Sequence, residues 1–472
     1  MKVIAMRDGS PLVTIQVVFR TGSAQDPAGQ GGAAWMATAM VASGGSRTLT
    51  YKQILDALFP MGVTVASQVD KEMLGFTAEV HADHLEEFYR MFSGMILDPG
   101  WRQDDFERLR DDAVNYLEVA LRGQNDEELA KDVLCSRVYA GHPYERHNAG
   151  TVSSLHALTV ARVKEFYLAQ FAQENLTIAL GGGFPAGFES RVRRDFAVLP
   201  LKGRNQGELP AAPEVRANEL YLVEKAARGV AISLGFPIGV TRGHADFPAL
   251  LLAASALGQH RMSSGRLFTR MRQLRGLNYG DYAYIEHFPG GMYTLEPLPN
   301  VARRRQMFQL WVRPVDREYA HFALRLALHE LERFVRDGLT PEEFARTRSF
   351  LSKYVNLLLK TKLAELGYAV DSDFYGTAPY PEYVRAGLRE LSLEDVNAAI
   401  RRHLRWEGLK IVMVGEGMTE MRESILANRE SPMTYNSPKP DEILAEDEVV
   451  MRRVIQVAPE NAVVVGVEQV FA

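Results

Sequence analysis

A chain of 472 residues with 46% hydrophobic and 24% charged side chains has globular composition and is too long for one ordinary domain. Its net charge of −5 gives no reason to expect nucleic acid or an anionic membrane as partner, and the lone Cys135 excludes an internal disulfide and a cysteine-rich metal site. With Arg7 and Asp8 where a signal peptide needs its apolar stretch, and no apolar run of bilayer length, the sequence as it stands reads as soluble and cytoplasmic, or periplasmic if a leader was removed.

The first expected element is the β-branched strand LVTIQVVF from Leu12, ending in a glycine-containing bend. Next comes GGAAWMATAMVASGG, Gly31 to Gly45, a small apolar helix between glycine pairs. Nothing in it can bind a metal, donate a proton or attack a carbonyl. YKQILDALFPMGVTVASQV is a helix leading through glycine into a strand, and LGFTAEVH is a strand followed by two long helices. Cys135, in DVLCSRVY, reads as a small core residue of a helix interior. A capped helix and the buried strand preceding GGG, near Leu180, close this half.

After LKGRNQGELPAAPEVRAN, which has linker composition, the same order returns. GVAISLGFPIG matches the first strand, FPALLLAASALG the blank helix, and GRLFTRMRQLRGLNYGDYAY the helix–strand unit. In GLTPEEFAR, Thr340 is an N-cap, with Pro341 at the first helical position and Glu343 at the third. The expected architecture is α+β: two homologous α/β-sandwich domains. Their expected bounds are 1–200 and 219–417, with a linker over 201–218. An extension over 418–472 would hold an extended connection, YNSPKPDEILAED, and the β-rich ENAVVVGVEQVF.

Several motifs, VVFRTGSAQDP, HPYERHNAGT and SSGRLFTRMRQLRGLNYG, in this order along nearly the whole chain, resemble the pitrilysin/insulinase family of zinc metallopeptidases, in its short, processing-peptidase-like form. That resemblance implies half of a clamshell. It also implies an inverted zinc motif, H-x-x-E-H, on the first helix, where two histidines share a face and the glutamate activates water. Counted back from Gly44, the motif positions hold Trp35, Thr38 and Ala39; counted forward from Gly31, they hold Ala34, Ala37 and Thr38. Leu117 falls where the third ligand, a glutamate, is expected, and Glu118 is one position off, a turn of about 100° on a helix. The zinc site is therefore expected to be degenerate, with no metal in this chain.

Other candidates are weaker. His81 and His84, beside Glu86 and Glu87, read as a solvated strand–helix turn. His329 starts like a zincin helix, but Arg333 stands where its second histidine would be. SSGR and IALGGGFP lack the residues of a nucleophile elbow or a phosphate loop and read as turns.

The second half keeps the family pattern R-x-x-x-G-L-x-Y, with Arg272 and Tyr279 at its ends. In two-chain members one chain brings zinc, and the other brings an Arg/Tyr pair that holds the substrate across the interface. Guanidinium and phenol donors suit a peptide carbonyl and the charge that develops on it. On chemistry alone a structural salt bridge and a sheet residue is the favoured reading, which the resemblance reverses, and Arg266 and Arg275 compete for the role.

The resemblance implies a non-catalytic subunit that pairs with a zinc-bearing homologue to enclose and cleave peptides. A structural scaffold subunit and a non-hydrolytic peptide-binding homodimer are the alternatives. ARRRQ, Ala302 to Gln306, reads as a solvated loop rather than a substrate-attracting patch.

Overall fold

The computed structural model describes residues 1–203 and 208–472, so the expected linker falls partly outside the described residues. β1 (Lys2–Arg7), β2 (Leu12–Phe19), β3 (Ala66–Val69), β4 (Leu74–His81) and β5 (Leu176–Gly182) form one sheet in the order β1-β5-β2-β4-β3. β6 (Glu219–Glu224), β7 (Val230–Ile238), β8 (Asp281–Tyr284), β9 (Gln306–Val315), β10 (Lys410–Gly415) and β11 (Ala462–Gly466) form the second, ordered β11-β6-β10-β7-β9-β8. β1 runs parallel to β5 and β6 to β10, while the remaining core pairs are antiparallel. Matching β6, β10, β7, β9 and β8 to β1, β5, β2, β4 and β3 therefore superposes neighbours and directions alike. The repeat visible in the sequence is a repeat of topology in an α+β fold of two homologous halves.

Two strands were missed by sequence pattern. β1 and β6 open their halves, and β1 is a partly exposed edge strand whose apolar signal is short. In the tail, the extended connection expected through DEILAED is wrong. Asp441–Val450 is a helix, opened by Pro440 and an acidic first turn, with Ile443, Asp447 and Val450 on its buried face. β11 then adds a parallel strand beside β6.

The halves interlock by exchanging helices. β2 is buried from Val13 to Phe19, which requires cover on both faces. Val13, Ile15, Val17 and Phe19 point into the core of their own half. Val18, on the opposite face, packs with Ala179 against Leu366 and Val370. Those two belong to the helix Lys362–Tyr375, from the second half. Reciprocally, the first-half helix Asp126–Val138 lies on β7 and β10, so Ala231, Val412 and Val414 join the first half's apolar cluster.

Polar groups seal this junction. The Gln16 side-chain amide donates to the carbonyl of Leu363 at 2.7 Å. Arg303 Nε donates to Asp70 Oδ2 at 2.7 Å, both side chains being buried. Against the upward push of burial, Arg303 and His287 hold the Asp70 carboxyl below its usual range. ARRRQ is thus not a solvated loop: Ala302 and Arg303 are buried, Arg304 pairs with Glu72, and Arg305 Nε donates to the carbonyl of Pro210 at 3.1 Å.

Candidate functional site

The blank helix spans Ala33–Ser43. Its first free N–H groups are capped from upstream: Asp26 accepts from the backbone of Gly32 at 2.7 Å and of Ala34 at 2.8 Å. Burial pushes the Asp26 carboxyl up to about 7, against the pull of those two N–H groups and of Arg146. Gly32 sits at φ 87, where a Cβ would come within 2.5 Å of the Ala149 carbonyl oxygen, so both conformation and space require glycine.

The positions expected for zinc ligands are filled with packing. Trp35 is half-buried and stacks on Tyr116, ring centroids 5.7 Å apart and 18° between planes. Thr38 is buried and donates its hydroxyl to the Ala34 carbonyl at 2.8 Å; Ala39 is half-buried. In the alternative register Ala34 and Ala37 are buried, as are Met36 and Met40 on the same helix. Leu117 is fully buried in a π turn, Tyr116–Leu121, while Glu118 points outward, 3.9 Å from Arg122. No imidazole, thiolate or carboxylate stands at these positions, and the indole N–H of Trp35 has no lone pair to give, so the residues do not fit a zinc ion.

Elsewhere, among the described residues, two groups bring three ligand-type side chains together. In His244, Asp246 and His403, the Asp246 carboxylate already meets His403 at 2.6 Å and also Arg402. His244 Nδ1 accepts from the Asp246 N–H at 3.0 Å. In His329, Glu330 and Glu446, the carboxylates are taken by Arg270, Arg275 and Arg333. Both groups are internal ion-pair networks. His81 and His84 are exposed at the turn Ala82–His84, where His81 Nδ1 accepts from the Asp83 N–H at 3.3 Å.

The other candidate pair lies on the second half, where a π turn, Phe268–Gln273, leads through Gly276 at φ 71 to β8. Arg272 Nη1 donates to the carbonyl of Tyr279 at 3.1 Å, and its guanidinium lies 4.9 Å from the Phe268 ring centre and 5.4 Å from that of Tyr279. Tyr279 is 75% exposed. The rival arginines are occupied. Arg266 grips Glu343, with Nη2 to Oε2 at 2.8 Å, and Arg275 is buried against Asp447 and Glu446 at 2.8 and 2.6 Å. Arg270 pairs with Glu330 at 2.9 Å and with Glu446. Among the described residues, no carboxylate lies within ion-pairing distance of Arg272. It is a cation presented on an aromatic platform.

Beneath the pair, Asp281 opens β8 fully buried, accepting from the Asn278 side-chain amide at 2.7 Å. Burial pushes its carboxyl up to about 8, and the other carboxyl oxygen has no protein partner. Sequence reasoning singled out neither Asp26 nor Asp281. The only signal for Asp26 was an acid shortly before the glycine pair.

Residues 2–152 match the model for the insulinase peptidase domain of peptidase family M16, and residues 157–351 match that for the peptidase M16 inactive domain. The chain belongs to peptidase family M16. An uncharacterised zinc protease of Mycobacterium bovis is 25% identical, over 74% of this chain and 76% of its own length. A Helicobacter pylori relative named as a non-peptidase homologue is 20% identical over 86% of this chain and 89% of its own. The solved peptidase M16 inactive domain from Pseudomonas fluorescens shares the fold, with a TM-score of 0.75 at 23% identity, covering 88% of this chain and 95% of the other. Packing residues stand where the zinc ligands are expected, and residues 157–351 are the ones that match the inactive-domain model. None of its described helices is long and apolar enough to cross a membrane.

Proposed function

We propose that this chain is the non-catalytic subunit of a heterodimeric zinc metallopeptidase. A homologous zinc-bearing partner would cleave the peptide, and this chain would supply chamber wall and hold the substrate through Arg272 and Tyr279. The observation that carries the reading is a contrast. Where the metal ligands would stand there is packed apolar surface, while Arg272 alone among its neighbouring arginines is left without a carboxylate, beside an exposed phenol. An unpaired guanidinium and a phenol can both donate to a peptide carbonyl, and neither has to break an internal ion pair to do so.

The test is Arg272→Ala in this chain, assayed with the partner on a mixed peptide library. The proposal expects an assembled complex with peptidase activity lowered about a hundredfold, the size of losing one preorganised donor. An assembled complex with unchanged activity would withdraw the Arg/Tyr assignment. It would favour a second reading, a scaffold subunit without a part in proteolysis. The Helicobacter pylori non-peptidase homologue, which matches 86% of the chain, supports keeping that reading in view.

A further inference from the structure

The tail helix Asp441–Val450 carries two carboxylates whose partners flank Arg272. Glu446 takes Arg270 and Arg275 from the π turn and its end, together with Arg333, and lies 3.7 Å from His329. Asp447 takes Arg275 Nε at 2.8 Å and the Tyr435 hydroxyl at 2.6 Å. Arg275 is buried and returns Nη1 to the carbonyl of Arg270 at 3.0 Å, closing a loop around Arg272. A π turn is a rare geometry that its surroundings must hold, and here the tail supplies Glu446 and Asp447 beside Glu330 of the helix Ala320–Asp337. Without Glu446, three guanidiniums and an imidazole would face one another with Glu330 and Asp447 as the remaining counter-charges.

The same segment continues to the other half. After β11 it reaches Phe471, whose carbonyl accepts from the Val152 N–H at 3.0 Å and whose ring lies 4.8 Å from His147. His147 packs 6.1 Å from Tyr116, the residue on which Trp35 stacks. One stretch of chain thus touches both the Arg272 turn and the surroundings of the emptied metal helix.

We propose that the segment from Asp441 to Phe471 is a strap that sets where Arg272 and Tyr279 stand, through the grip of Glu446 and Asp447 on Arg270 and Arg275. The proposal rests on the reading that Arg272 and Tyr279 hold peptide; Glu446 and Asp447 are positioning residues that act through the turn.

The first test is native-state hydrogen exchange on the full chain, comparing wild type with Glu446→Gln/Asp447→Asn. Glu446→Gln alone, which removes charge at constant volume, serves if the double variant fails to fold. Glu448→Gln, on the exposed side and paired with Arg452, is the control. The strap predicts that amides from 268 to 280 exchange about tenfold faster or more in the strap variants, with 101 to 121 unchanged. Unchanged exchange from 268 to 280 would overturn it.

The second test measures affinity for a fluorescent unstructured peptide in the complex with the partner. The strap variants should weaken binding about tenfold in the native background and leave it nearly unaltered on top of Arg272→Ala, since both would act through one group. Additive losses would make the tail a structural element only and overturn the positioning role. If Arg272→Ala itself leaves peptide binding unchanged, the substrate-holding reading fails, and the exchange result alone decides whether the tail grips the turn.

Discussion

Arg266, Arg270, Arg272 and Arg275 stand close together in the chain, and what separates them is the company each keeps. Three are neutralised by Glu343, Glu330, Glu446 or Asp447, and Arg272 has an aromatic platform and a backbone carbonyl. An ion-paired arginine would have to lose charge-assisted bonds before taking a substrate; Arg272 would not. Arg272 is half-buried and holds one carbonyl and two rings, so Arg272→Ala should cost about 1 kcal/mol of stability, while the activity of the complex falls. Thermal denaturation beside the peptidase assay checks both. Asp281 gives a pH prediction. Its carboxyl, raised by burial to about 8, is neutral in the folded state where the unfolded chain would already be ionised. The stability this contributes is full below the unfolded value near 4, declines as pH rises, and is lost through about 8. Asp281→Asn keeps an acceptor for Asn278 and cannot ionise. Its melting temperature should match wild type near pH 4 and exceed it near pH 9 by an amount worth a few kcal/mol. Parallel curves at all pH values would refute the assignment.

Among the elements, the blank helix was legible almost to the residue, because glycines bracket it and its composition is uniform. Its cap was not. Asp26 reaches Gly32 and Ala34 from outside the helix, and no local spacing rule marks such a residue. Asp26→Ala would strand two buried N–H donors and should cost about 2–4 kcal/mol, read from denaturant midpoints; a loss under about 0.5 kcal/mol would mean the cap is dispensable. The π turns at Tyr116–Leu121 and Phe268–Gln273 have no period of their own and were invisible in the sequence. The tail helix did have a signal, apolar Ile443 and Val450 about two turns apart on one face, hidden by the proline-rich entry. The freedom of Arg272 could not be read either. It follows from partners of its neighbours that lie far along the chain, at Glu343, Glu446 and Asp447.

For the whole molecule, the internal repeat was in the sequence and sufficed for the α+β class and the division into two like halves; the order of strands in each sheet, with β1 and β6 unmarked, was not. Nor was the exchange of helices. A strand buried on both faces shows that something covers it, never which half supplies the cover. That exchange makes each half's core depend on the other, so unfolding should be a single calorimetric transition; two separable transitions would contradict it. The buried Arg303–Asp70 pair joins the halves. Arg303→Met should cost about 3 kcal/mol, because it takes the guanidinium from a buried carboxylate and leaves that carboxylate with His287 and the Asn148 amide. The same interlocking ties the half that carries the blank helix to the half that carries the Arg272 turn. The measurement that tests the substrate-holding role most directly is peptidase activity on a mixed peptide library with added zinc, for this chain alone and with its zinc-bearing homologue. The account predicts no hydrolysis by the chain alone and cleavage by the pair. Hydrolysis by the isolated chain, undiminished by a chelator, would contradict it.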